Sequence, residues 1–189
     1  MKCLIYVTKS KWRMFFDKSI NYYSLSNKKV DNDLNGKIVA EFDGEVEEIT
    51  HGYGKYGEYY QTKTLGLMSL REHSCISSDK LSKYLKSGDE VSKVGYAIHI
   101  KNLHIFDKPK ELSDVYKIVD VGGMLFTDTL KKAPQNMMYV SVNPWEYSFY
   151  NPEDKRVLIS IRPEWACKIL NGEKTIEVRK QVLNCMKGN

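Results

Sequence analysis

ILNGEKTIEVRK, residues 169–180, reads as the end of a helix, a glycine stop and a short strand carrying Lys174, Glu177 and Arg179. The helix is announced upstream by RPEWACKILNG, where Pro163 stands at the first helical position and Gly172 just past the last. RVLISI, residues 156–161, precedes it as a buried strand. A lone strand is not stable in water. The strand after Gly172 therefore needs a partner among the residues before Val157, and the β-branched run KCLIYVTK, residues 2–9, is the expected one.

On an extended strand Glu177 and Arg179 point to one face, and Ile176 and Val178 to the other, which makes the latter two core. Lys174 stands two residues after Gly172, where parity is least binding. A lysine, a carboxylate and an arginine around one cleft suit a nucleobase edge or a phosphate, Arg as a planar fork and Lys as a point charge. The same three groups also suit a buried structural ion pair, since charged side chains are rarely buried alone.

Charge is uneven along the chain. The 189 residues carry 29 Lys and Arg against 24 Asp and Glu, a net of +5. From Arg156 onward there are seven basic residues and three acids, a net of +4, against +1 for the 155 residues before. Arg162, Lys168 and Lys180 are the expected phosphate path beside Lys174, Glu177 and Arg179.

The four cysteines form no C-x-x-C pair, the start is too short for a signal peptide's apolar region, and no apolar run reaches the roughly 20 residues of a spanning helix. A reduced, cytoplasmic protein without membrane association is expected. His73 and Cys75 in REHSC lack the second pair of ligands that zinc requires, so no metal and no cofactor are expected.

NGKIVAEFDGEVEEI (35–49), GYAIHIKNLHIFDKP (95–109) and APQNMMYVSV (133–142) read as strands, SSDKLSKYLKSG (77–88) as a helix stopped by Gly88, and PKELSDVY (109–116) as a helical turn. A short helix is expected around Trp12 to Phe16, within a polar and aromatic excursion over residues 10–35. HGYGKYGEYYQTK, residues 51–63, reads as a loop: either a tyrosine and lysine surface of the kind that binds single strands, or a plain surface loop. Residues 143–156, with two Asn-Pro steps, read as a linker in which Trp145, Tyr147, Phe149 and Tyr150 cluster.

The strand, the proline-initiated helix and GEKTIEVRK together resemble the signature of ASCH domains, of the PUA-like superfamily. The pattern S-I-x-P, a helix ending I-x-x-G, then K-x-x-E-x-R is met by Ser160, Ile161, Pro163, Ile169, Gly172, Lys174, Glu177 and Arg179. KCLIYVTK, NGKIVAEF, GYAIHIKNLHIFDKPKEL and APQNMMYV resemble the later strands of the family's bacterial and phage branch in their usual order. In the family the signature comes first; here it comes last. The resemblance implies an α+β fold, a PUA-like mixed β-barrel with flanking helices, in circularly permuted order. One domain over 1–189 is expected, with a barrel body (1–142), a linker (143–156) and the signature (157–180) completing the barrel. A truncated second copy, or exchange of the tail in a domain-swapped homodimer, would use the same elements.

The resemblance implies an RNA or modified-nucleotide binding module, with RNA or a nucleotide or nucleoside as partner. Some ASCH proteins hydrolyse N4-acetylcytidine with a threonine three residues after the motif lysine, and ribonuclease activity occurs in the family. Here that position is Glu177, and the only hydroxyl nearby is Thr175. For a small hydrolase the catalytic candidates are Lys174, Glu177 and, as the distant glutamate, Glu72. A protein-interaction domain of a phage or mobile element is the third reading, using the aromatic segments 12–24 and 143–150. An ion pair with Glu177 would hold Lys174 protonated, which favours a charged binding lysine over a general base.

Overall fold

Buried apolar residues fill β1 (Lys2–Val7) from Cys3 to Val7, and no alternation interrupts them. Such a run belongs inside a sheet covered on both faces. The computed structural model describes residues 1–29, 32–86, 92–144 and 151–186, and the aromatic cluster at Trp145, Tyr147, Phe149 and Tyr150, like Gly88, lies outside them. The fold is α+β and mostly strands, with eleven strands and three α-helices among the described residues. No helix among these residues is long and apolar enough to cross a membrane.

Residues divide into two units, Met1–Asp43 with Asn102–Asn171, and Gly44–Lys101 with Gly172–Asn189. In the first, β1 lies between the start of β4 (Ile38–Gly54), antiparallel, and β10 (Lys155–Ile161), parallel, with Cys3 opposite Val157 and Val7 opposite Ile161. The order continues to β9 (Met137–Ser141), β7 (Tyr116–Val121) and β8 (Met124–Thr129). β7 and β8 form a hairpin across Gly122 and Gly123, both at positive φ (64° and 86°), the conformation a tight two-residue turn demands. The core of this unit gathers Leu4, Tyr6, Ile38, Val115, Leu130, Val140 and Leu158.

Helix α3 (Pro163–Leu170) starts on Pro163 and buries Ala166, Cys167, Ile169 and Leu170. It packs on β1 and on a separate two-stranded ribbon, β2 (Arg13–Asp17) and β3 (Tyr22–Ser26). The expected helix at Trp12 to Phe16 is therefore a strand. Met14 is fully buried and Phe16 stacks on buried Tyr23 at 4.9 Å, while Arg13, Phe15 and Asp17 take the other face, a period of two. The C-terminal end of the expected linker is ordered as a 3-10 turn at Pro152–Asp154 running into β10.

In the second unit the rest of β4 pairs with β5 (Gly57–Gln61), and β6 (Ser92–Lys110) lies between β4 and β11 (Ile176–Arg179). Residues 51–63 are thus a β-hairpin rather than a loop. Helices α1 (Leu67–Ser74) and α2 (Ser78–Leu85) supply Leu70, Leu81 and Leu85 to a core with Ile49, Tyr60, Ala97, Ile176 and Val178. The partner of β11 is β6, antiparallel, with Ile176 opposite His99 and Arg179 opposite Tyr96; the segment that joins β1 is β10. The strand path runs from β11 to β8 without a ladder joining those ends among the described residues, so the sheet is open and no closed barrel is formed.

Candidate functional site

Gly172, at φ 76°, turns the chain out of α3 and leads it past the C-terminal end of α1. There the main chain of residues 173–175 is clasped on two sides. The Thr175 N–H donates to the His73 carbonyl (2.9 Å), the Ile100 N–H donates to the Thr175 carbonyl (2.9 Å), and the Cys75 thiol donates to the Glu173 carbonyl (3.2 Å). Between these contacts the Lys174 side chain turns inward and is only 1% exposed.

Its ammonium donates to the Ser74 carbonyl at 2.7 Å and lies 3.4 Å from Glu177 Oε2. Ser74 is the last residue of α1, where helix geometry leaves carbonyls without intrahelical partners. A cation at that end satisfies the carbonyl and complements the helix dipole. Lys174 is thus a cap on α1 delivered from a distant part of the sequence.

Glu177, buried to 7% exposure, also holds Arg179, whose Nε is 2.8 Å from Oε1. The three residues singled out from the sequence are together, arranged as one carboxylate between two cations. The expected parity holds, with Ile176 and Val178 in the core. The expected electrostatics changes: burial pushes the Lys174 ammonium below its ordinary value, and the opposing pull of Glu177 does not cancel it.

The other candidates do not join this cluster. Glu72 is an exposed residue of α1 whose backbone carbonyl accepts from the Cys75 N–H at 3.3 Å. Arg162 caps the start of α3 in the other unit, 76% exposed and 4.0 Å from Glu164, and Lys168 of α3 lies 6.0 Å from the Trp165 ring. Lys180 directly follows β11 and sits 5.4 Å from the Tyr84 ring.

Lys180 lines a groove of about 360 Å³ together with Lys93, Gly95 and Tyr96, within the size range of small-ligand sites. Lys93 sits 4.9 Å from the Tyr96 ring and 2.6 Å from Glu48, whose carboxylate raises its pKa. Gly95 permits the close approach of β6 to β11, because a Cβ there would come 2.7 Å from Leu85 and 2.8 Å from the Arg179 carbonyl oxygen.

Two arrangements escaped the sequence reading. His73 Nδ1 lies 3.1 Å from Thr175 Oγ1, so Thr175 has an imidazole neighbour from α1. In the hairpin, fully buried His51 meets Glu58 at 2.9 Å, Glu58 accepts from the Ser82 hydroxyl at 2.8 Å, and Ser82 accepts from the Tyr60 hydroxyl at 3.2 Å. The Ser82 hydroxyl holds the Glu58 carboxyl below its usual range. Neither pairing has a signal in sequence spacing, since each joins residues from separate elements. Among the described residues no cluster of three or more His, Cys, Asp or Glu is placed to hold a metal ion. No family model, no curated protein and no solved structure matches the chain.

Proposed function

We propose that the chain is an RNA- or modified-nucleotide-binding module of the PUA-like ASCH type, with the signature elements in circularly permuted order. The observation that carries this is the groove at the exit of β11, lined by Lys93, Lys180, Gly95 and Tyr96. In this reading Lys174 and Glu177 position rather than touch the ligand. Their near-complete burial supports that role: they fix β11 against α1 and β6, and so set where Arg179 and Lys180 emerge. A cytoplasmic setting belongs to the same proposal, in keeping with cysteines that lie far apart in the sequence without a C-x-x-C pair.

The test is a binding titration with nucleoside monophosphates and short RNA at two salt concentrations. Lys180→Ala should weaken binding severalfold and reduce the salt slope by about one counterion. Unchanged affinity in that variant would remove the groove from consideration.

A hydrolase is the second reading, favoured by the His73–Thr175 contact beside a lysine of lowered pKa. Thr175 and His73 are both exposed, and no third group among the contacts described orients the imidazole. Purified protein is therefore expected to leave N4-acetylcytidine and short RNAs intact. Turnover that disappears in both Thr175→Ala and His73→Ala would replace the binding proposal with the hydrolytic one.

A further inference from the structure

The net charge of the whole chain is matched by 21 of its residues. Residues 9–29 contain six Lys and Arg and one acid, a net of +5, equal to the +5 of all 189 residues. This segment is the β2–β3 ribbon with its flanks, in the first unit. Its single acid is engaged locally, Asp17 accepting from the Ser19 N–H (2.9 Å) and hydroxyl (2.6 Å), and Arg13 is paired with Asp33. Lys9, Lys11, Lys18, Lys28 and Lys29 are all exposed, and none is in an ion pair among the described residues.

Aromatic surface is interleaved with these charges. Trp12 and Tyr22 are each 47% exposed, though the neighbouring Met14 and Tyr23 are buried under the ribbon. Arg13 pairs in register with Ser26, so Lys11, Trp12 and Lys28 gather at the open end of the hairpin, and Lys18 and Tyr22 at its turn. Tyr22 is opposite Asp17, on the face of Arg13, Phe15 and Asp17, and five residues along from Trp12, so at about 3.4 Å per residue the two positions lie roughly 17 Å apart along the ribbon.

The backbone that carries the rings is fixed. The Asn35 side chain accepts from the Met14 N–H (3.0 Å) and donates to the Trp12 carbonyl (2.9 Å). At the other strand Asn171 donates to the Tyr23 carbonyl at 3.0 Å, and the Cys167 thiol donates to the same oxygen at 3.1 Å. A platform ordered before binding loses little entropy when it binds.

We propose that the β2–β3 ribbon is a docking surface for single-stranded nucleic acid, with bases stacking on Trp12 and Tyr22 and phosphates passing along Lys11, Lys18 and Lys28. Charge complementarity calls for a polyanion, and exposed aromatic rings at the two ends of the ribbon call for unstacked bases, which a duplex does not offer. The surface shares no residue with the groove at β11 and does not depend on it.

The experiment uses the full chain and a labelled single strand of about 15 nucleotides, as RNA and as DNA, beside the corresponding duplex, at about 50 and 200 mM salt. The single strand should bind in preference to the duplex. Trp12→Ala should weaken it roughly tenfold with unchanged circular dichroism, and Trp12→Phe should restore most of the loss. Lys11→Glu with Lys18→Glu should weaken it at least tenfold at the lower salt and lower the salt slope by about 0.7 per lysine. A duplex bound as tightly, a Trp12→Ala variant indistinguishable from the parent, or equal retention of the parent and Trp12→Ala on anionic vesicles or polyglutamate in place of nucleic acid would overturn the proposal. Loss in Lys180→Ala alone would keep nucleic-acid binding at the groove and reject the ribbon. Loss in the ribbon variants alone would do the reverse.

Discussion

The strand β11 and the ribbon β2–β3 both stand out in sequence for their cations, yet they turn them in opposite directions. Around β11, Lys174 and Arg179 converge on one carboxylate and on a helix end, and the lysine is withdrawn from water. On the ribbon the lysines stay in solvent and the only acid within the segment is occupied by its own turn. A motif of alternating charge signals neutralisation inside the fold; a segment with cations and almost no acid signals charge held in reserve for a partner. Proximity of Glu177 to Lys174 and Arg179 in the sequence is itself the reason those groups are spent internally.

Breaking the contrast at its strongest point has the largest effect. Glu177→Ala leaves buried Lys174 and half-buried Arg179 without their carboxylate, and should cost about 3–5 kcal/mol in urea unfolding. A loss below about 1 kcal/mol, typical of surface pairs, would place the cluster in solvent.

Lys174→Met is expected to cost less, about 1–3 kcal/mol, because Glu177 keeps Arg179 and the main unmet group is the Ser74 carbonyl. This variant also sharpens the comparison through pH. Lys174 releases its proton more readily in the folded chain than in the unfolded one, where its value is near 10.5. Between the lowered folded value and 10.5 the unfolded chain holds more protons, so this residue's contribution rises with pH. It is complete above the unfolded value and lost as pH falls through the folded one. The difference in urea midpoint between parent and Lys174→Met should therefore widen as pH is raised through that window; parallel pH profiles would contradict the burial of the ammonium.

The smallest effect belongs to the ribbon. Lys11→Ala and Lys18→Ala should each change stability by less than about 0.5 kcal/mol, since both side chains are exposed and neither is in an ion pair among the described residues. A larger thermal shift in either would assign these lysines a structural role and remove the distinction.

How far the fold was legible follows from what each segment writes locally. The signature segment is explicit, with Pro163, Gly172 and the apolar runs marking β10, α3 and β11. Which strand receives β11 is not written there, because register is settled by packing across the sheet; the expected partner β1 takes β10 instead. The ribbon was hidden by Phe15 and Phe16, adjacent aromatics on opposite faces that blur a period of two. The hairpin at 51–63 was masked by its tyrosines, of which Tyr60 is core and Tyr56 is 96% exposed. In the site, Lys174, Glu177 and Arg179 were readable as a group. The Ser74 carbonyl was not, since α1 opens on Gly66 without a side-chain cap and little in its sequence marks where it ends. Counting charge only on either side of Arg156 also concealed the ribbon, whose excess is offset by acids elsewhere before Arg156.

The parallel pairing of β1 with β10 carries a consequence for synthesis on the ribosome. β1 is made before every other strand described, and the strand that covers its second edge follows about 150 residues later, with Val157 opposite Cys3. At about 5–20 residues per second, that edge waits roughly 8–30 s before Val157 is even polymerised. During that time a run of buried-type residues from Cys3 to Val7 presents unpaired backbone, the situation in which nascent chains aggregate or recruit chaperones. Yield from a cell-free reaction should therefore depend more on holdase chaperones than on the stability of the finished fold.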